Sequence, residues 1–277
     1  MIGNTGIKVA QLISCIFILV GILLAILRRV FKYRLVSCKE ALFSDTATLI
    51  LDGATNNKKD RNKVLVFDCD GTILDTYELI ENIVLETFKE VNPTYPITID
   101  EAHTFFGPYI NDTFKKYAKD EEELNLYIDT YGKFAEKLTA KYIKAYPGIK
   151  ETLAELKGQG FIICVASNKI SKEVYRGLKI CGLDKYIDDV IGAELMNEAK
   201  PNPDCINQIK TKYKVKKVLM IGDTETDILT GKNAFCYTCG VTWCVATTED
   251  FKKWKADEIV SNPKELIKLG EKYANRI

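Results

Sequence analysis

The sequence predicts an α/β fold in which a parallel, Rossmann-like sheet is interrupted by a helical insertion and preceded by one apolar helix of membrane length. Three observations carry that expectation. Short apolar, β-rich runs at residues 63–67, 161–166 and 218–221 each end in small polar residues, as strands buried on both faces of a sheet do. Some ninety residues separate the first two runs, far more than one crossover helix requires, and their apolar positions recur at helical spacing. Residues 9–27 are nineteen consecutive uncharged and mostly apolar positions.

The chain has 277 residues, 47% hydrophobic and 28% charged, enough to bury a sizeable core, which excludes collagen, disorder and a disulfide mini-protein. Its 39 Lys and Arg against 38 Asp and Glu give a net charge of +1, so no strongly basic surface is expected and no nucleic-acid partner. That total conceals segregation. Residues 1–61 carry nine basic and four acidic residues, and the remainder carries 30 basic and 34 acidic. A single histidine, His103, excludes zinc sites with several His ligands within one chain, so catalysis is expected from carboxylates, lysines or a metal held by oxygen. Nine scattered cysteines, an odd number, argue against a secreted disulfide framework and for a reducing compartment.

As a helix, residues 9–27 would span about 28 Å, close to one hydrocarbon thickness. The alternatives are a buried core helix and a cleaved signal peptide. Arg28, Arg29, Lys32 and Arg34 follow the run, whereas only Lys8 and the terminal amine precede it. That asymmetry favours an uncleaved single-pass anchor with the globular body facing the cytoplasm. Residues 1–34 are thus expected to be the anchor with its basic flank and residues 35–62 a linker.

The run at residues 63–67 leads into Asp68-Cys69-Asp70-Gly71-Thr72. Side chains alternate along a strand, so Asp68 and Asp70 project to one side while Cys69 points away. Adjacent carboxylates repel unless a cation or a division of labour accommodates them. Gly71 permits a sharp turn, and Thr72 offers a backbone N–H and a hydroxyl to an anion. Alone, this pattern could be a polar turn or a calcium-loop fragment, but the later ligands of a calcium loop are missing. The second run ends in Ser167-Asn168-Lys169. Next comes Ala199-Lys200-Pro201-Asn202-Pro203, ahead of a helical segment at residues 205–213. The third run ends in Gly222-Asp223-Thr224-Glu225-Thr226-Asp227. Ligands of open α/β sheets bind outside the carboxyl ends of the strands, so these four loops should converge on one crevice.

With these motifs in order, residues 63–241 resemble the haloacid dehalogenase superfamily, and its phosphoglycolate phosphatase-like members in particular. The resemblance implies a core at residues 63–77 and 146–277, with residues 78–145 as a helical cap of the four-helix kind that closes over the crevice and reads the leaving group. It implies Asp68 as the nucleophile that forms an aspartyl-phosphate, and Asp70 as the acid that protonates the leaving oxygen and then activates water. Mg²⁺ would lie between Asp68, the backbone carbonyl of Asp70 and Asp223, with Asp227 in support. Ser167 and the backbone at Gly71 and Thr72 would hold phosphoryl oxygens, with Asn168 and Lys169 on the substrate side, and Lys200 would neutralise developing charge. The expected activity is hydrolysis of a small phosphorylated metabolite. The alternatives are a phosphomutase of the β-phosphoglucomutase type and a membrane-anchored non-catalytic module. The acid at position 70 favours C–O–P substrates over C–halogen or C–P ones, because the dehalogenase and phosphonatase members lack it.

Within the insertion, His103, Tyr109, Lys115, Lys116 and Lys119 are candidates to face the site, although a lysine cluster is ordinarily a solvated helix face. Tyr127, Tyr131 and Phe134 read as packing for the insertion's own core. Cys236 and Cys239 have metal-ligand spacing but lie in an alternating strand-like stretch, so they read as packed cysteines.

Overall fold

The structure is a computed structural model describing residues 63–274. The apolar run at residues 9–27, its basic flank and the linker up to residue 62 lie outside them. Among the described residues, no helix is long and apolar enough to cross a membrane.

In chain order the strands are β1 Val64–Phe67, β2 Leu74–Asp75, β3 Lys144–Ala145, β4 Ile162–Ala166, β5 Asp189–Ile191, β6 Leu219–Gly222, β7 Tyr237–Val241 and β8 Glu258–Val260. Six of them form one sheet in the order β5-β4-β1-β6-β7-β8, and every neighbouring pair is parallel. The three expected strands are thus adjacent at its centre, so the loops leaving their carboxyl ends open side by side.

Alternation along the central strands explains why both faces had to be apolar. Leu65 and Phe67 pack with Ile163, Val165, Leu219 and Ile221 on one face, while Val64 and Val66 pack with Cys164, Ala166 and Met220 on the other. The helices after the insertion are α5 Ile149–Gly158, α6 Ser171–Ile180, α7 Asp204–Tyr213, α8 Glu225–Asn233, α9 Thr248–Lys253 and α10 Glu265–Ala274. Those covering the first face include α5, α6 and α10, through Leu153, Val174 and Leu266; α7 covers the second through Ile206 and Ile209.

Between β2 and β3 stand four helices, α1 Tyr77–Val91, α2 Ile99–His103, α3 Ile110–Phe114 and α4 Glu121–Tyr142. β2 and β3 pair antiparallel, Leu74 opposite Ala145, so the chain leaves and re-enters the core through one short ladder. The four helices enclose a separate aromatic core centred on Phe88, with Tyr117 and Tyr127 at ring distances of 5.0 and 5.1 Å. Tyr127 is fully buried there, as expected of packing. Cys236 and Cys239 are both buried, but in the cores on opposite faces of the sheet. Two side chains separated by a sheet cannot share a metal ion, which leaves them as packing.

Candidate active site

β1 delivers its carboxylates by running on past its last paired residue. The Asp68 N–H still donates to the Ile221 carbonyl at 2.8 Å, and Gly71 N–H donates to the Leu74 carbonyl at 2.8 Å, closing the turn. Gly71 has φ of +84°, and a Cβ there would overlap the Asp223 carboxylate. Two independent constraints therefore require glycine at this position. Thr72 donates its hydroxyl to Asp223 Oδ1 at 3.0 Å, and the Trp243 indole donates to the Thr72 carbonyl at 3.1 Å. Gly71 and Thr72 consequently brace Asp223, a role additional to the anion contact the sequence suggests.

Lys200 lies beneath the carboxylates, with its side chain 4% exposed. Its Nζ donates to Asp68 Oδ1 at 2.5 Å, Asp227 Oδ1 at 2.7 Å and the Ala166 carbonyl at 3.0 Å, which uses all three of its protons. Its backbone N–H donates to Asn168 Oδ1 at 2.8 Å, and Asn168 Nδ2 donates to the Lys200 and Gly107 carbonyls, each at 3.3 Å. Asn168 thus ties the lysine loop to a loop of the insertion. Asp227 Oδ2 accepts from the Thr224 N–H at 3.0 Å and the Thr224 hydroxyl at 2.7 Å, in the capping box that starts α8. With both oxygens so engaged, Asp227 anchors Lys200 and its own helix.

At the mouth of the site, Lys169 Nζ donates to Asp70 Oδ1 at 2.6 Å, and the Lys169 N–H donates to Ser167 Oγ at 3.2 Å. Asp68, Asp70, Ser167, Asn168 and Lys169 all border a cavity of about 230 Å³ whose other walls come largely from α1, α4 and the segment around α3.

The electrostatics of the site follow from burying four carboxylates beside two ammonium groups. Burial, only partly offset by Lys200, pushes the Asp68 carboxyl up to about 7, with Asp227 and Asp70 adding repulsion. Burial and the charges of Asp68 and Asp227 likewise raise Asp223 well above the usual carboxylate range. Burial alone would lower the Lys200 ammonium, but Asp227 and Asp68 more than offset it and hold it above the usual lysine range. Asp68, Asp223 and Asp227 can each present an oxygen within 4.8 Å of the others. Three converging carboxylate oxygens, costly to bury ionised without a further cation, fit a hard divalent cation such as Mg²⁺.

Every residue singled out by the four motifs is therefore at this site, although Asn168, Thr72 and Asp227 are hydrogen-bonded to other protein groups. The insertion's candidates divide. Tyr109 borders the cavity. His103 is outside its lining, bonded to Glu81 at 2.8 Å and packed on Tyr77. Lys115 and Lys119 pair with Asp112 and Glu123 on the solvent face, where Lys116 is also exposed. Tyr131, expected to be packing alone, also borders the cavity. Trp243, whose indole braces the Thr72 carbonyl, has no signal in the sequence, because a lone indole in a loop carries no motif.

Sheet order, inserted helices and carboxylate cluster together define a hydrolase of the α/β class that works at the carboxyl ends of its strands. A family model described as haloacid dehalogenase-like hydrolase matches residues 65–241, and the chain belongs to that family. It is an enzyme, a hydrolase of the phosphatase class. Pyrophosphatase PpaX of Oceanobacillus iheyensis is 30% identical to it over 76% of this chain and 99% of its own length. The crystal structure of a predicted phosphatase from Clostridium acetobutylicum superposes with a TM-score of 0.66 at 27% identity, over 75% of this chain and 97% of that one. The structure of a predicted phosphoglycolate phosphatase from Haemophilus somnus gives a TM-score of 0.68 at 24% identity, over 76% and 98%, and bears on the fold alone.

Proposed function

We propose that the chain is a Mg²⁺-dependent phosphatase that hydrolyses a small phosphomonoester through an aspartyl-phosphate on Asp68. The observation that carries this reading is the position of Asp68, which borders the cavity while its Oδ1 is held at 2.5 Å by a buried lysine. An oriented carboxylate at the floor of a pocket is a nucleophile positioned for in-line attack on phosphorus. Asp68, the backbone carbonyl of Asp70 and Asp223 would hold the cation, with Asp227 behind them; bound there, it would offset the charge of the carboxylates and of the transferring phosphoryl group.

The chain's own groups account for the remaining steps. Asp68 attacks phosphorus as the ester P–O bond breaks, and Asp70 hands a proton to the departing alkoxide. Asp70 then takes a proton from water, whose attack on phosphorus releases inorganic phosphate and regenerates Asp68. Ser167 and the Gly71 and Thr72 backbone bind phosphoryl oxygens, Lys169 holds Asp70 at the mouth, and Lys200 aims Asp68 and favours its charged form against the cost of burial. Phosphate release from an aryl phosphate in Mg²⁺ tests the assignment: Asp68→Asn should abolish it, and retained activity would refute the nucleophile.

The same reading places this body on a membrane through a single-pass helix at residues 9–27, facing the cytoplasm. Nineteen uncharged residues followed by Arg28, Arg29, Lys32 and Arg34 support that arrangement. The full-length protein should then resist alkali and require detergent for extraction. Release by alkali alone would remove the anchor from the account.

A further inference from the structure

The cavity bordered by Asp68 and Asp70 is lined mainly by hydrocarbon. Leu79, Ile80 and Ile83 of α1, Ile128 and Ala135 of α4, and Ile143 border it. The charged residues in its lining are Asp68, Asp70, Lys169 and Glu173. Lys169 is the one cation among them, and Asp70 already holds it at 2.6 Å. Lys200 is saturated beneath the floor by Asp68, Asp227 and the Ala166 carbonyl. Glu173 contributes negative charge, which Arg176 partners at 3.0 Å. A leaving group with its own anionic charge, such as a second phosphate or a carboxylate, would enter a space with no uncommitted cation and a glutamate in its wall. Its charge would lose hydration in exchange for at most neutral hydrogen bonds, from lining residues such as Tyr109 and Asn111.

Gly132 supplies an independent observation. It lies mid-way along α4, where glycine is less favourable than alanine by about 1 kcal/mol. It borders the cavity, and a Cβ built on it would meet no atom within 4 Å. Gly132 is exposed, so the helix carries a residue that weakens it where a side chain would stand in open space at the chamber's rim.

We propose that this chamber selects phosphomonoesters whose leaving alcohol is uncharged and largely apolar, in preference to pyrophosphate or carboxylate-bearing esters, and that Gly132 keeps its rim open to longer alcohols. The inference rests on the phosphatase reading and narrows it, separating this chain from relatives named as pyrophosphatases. Burying hydrocarbon against α1 and α4 supplies the binding energy, and the phosphoryl end is held by groups that do not distinguish one ester from another. Each methylene that enters the chamber should raise kcat/KM about fourfold until the chamber is full.

The test is a kcat/KM series in Mg²⁺ over methyl, butyl and hexyl phosphate, set beside inorganic pyrophosphate and phosphoglycolate, with the wild-type protein and Gly132→Leu. The wild type should prefer the best alkyl ester over both anionic substrates by at least about tenfold. Gly132→Leu should lower the hexyl-to-methyl ratio by about tenfold or more, through KM, while thermal unfolding shows the helix no less stable. A preference for pyrophosphate or phosphoglycolate would overturn the chamber assignment and leave the phosphatase reading standing, as would a hexyl-to-methyl ratio indifferent to Gly132→Leu. No phosphate release from any of the five compounds would overturn both.

Discussion

The two halves of the site are built on opposite principles. At the carboxyl edge of the sheet, nearly every polar atom has an assigned partner: Lys200 is held by two carboxylates and a carbonyl, Asp223 by Thr72, and Asp227 by Thr224. In the chamber above, α1 and α4 offer mostly apolar side chains and open space. A network with fixed geometry can stabilise one charge distribution and little else, which suits a reaction common to many esters. An apolar chamber discriminates by volume and by the absence of charge partners, which suits choosing among leaving groups. Chemistry and selectivity thus occupy different elements and should respond to different mutations.

The largest contrast is expected from the floor. Asp68→Asn should reduce phosphate release by roughly 10³-fold or more, with substrate affinity retained in equilibrium binding. Lys200→Met should lower stability by about 3–5 kcal/mol in urea titration in EDTA, because it leaves Asp68 and Asp227 buried without their cation. A small effect would mean that the lysine is not the structural centre of the network.

The pH dependence of the metal-free protein sharpens the same half. A carboxyl whose folded pKa is raised keeps its proton better in the native state than in the unfolded chain. The native state therefore has its full advantage below the ordinary value of 3.8 and loses it as pH rises through about 7, the value for Asp68. Unfolding free energy in EDTA should fall on the order of 2 kcal/mol between pH 5 and 7, beyond the change in Asp68→Asn measured alongside. Added Mg²⁺ should stabilise more at pH 8 than at pH 5.

The chamber should behave differently. Ile83→Ala, which enlarges an existing cavity, should cost about 2 kcal/mol of stability and raise KM for apolar esters more than it lowers kcat. An effect confined to kcat would place Ile83 in the chemistry. Smallest of all, Lys115→Ala with Lys119→Ala should change stability by no more than about 0.5 kcal/mol and leave kcat unaltered, because both pair on the solvent face.

This division also explains what could be read from the residues in order. The floor was legible because its groups come in four short motifs at strand ends, and parallel topology brings such ends together. The three central strands were legible because each is a continuous apolar run. β5 and β8, at three residues each, are too short to show periodicity, and their place at the sheet's edges emerges only from pairing. The chamber was scarcely legible. Leu79, Ile80 and Ile83 recur as any amphipathic helix would, and nothing in that spacing separates a side chain that fills a core from one that borders an opening. Tyr131 illustrates the limit, since it packs against the insertion's aromatic core and lines the cavity as well. Asn168 shows the converse: its place in a motif marked it for substrate, while its amide bonds the Lys200 and Gly107 backbone.

In the proposed reaction Asp68 carries the phosphoryl group. The most direct measurement is to acid-quench the protein during turnover of an aryl phosphate in Mg²⁺, reduce with borohydride, and sequence the peptides by mass spectrometry, since an acyl-phosphate is reduced to an alcohol where a free carboxylate is not. Homoserine is expected at position 68 and unmodified aspartate at 70, 223 and 227. Homoserine at any of those other positions, or at none of the four while phosphate is released, would contradict that role for Asp68.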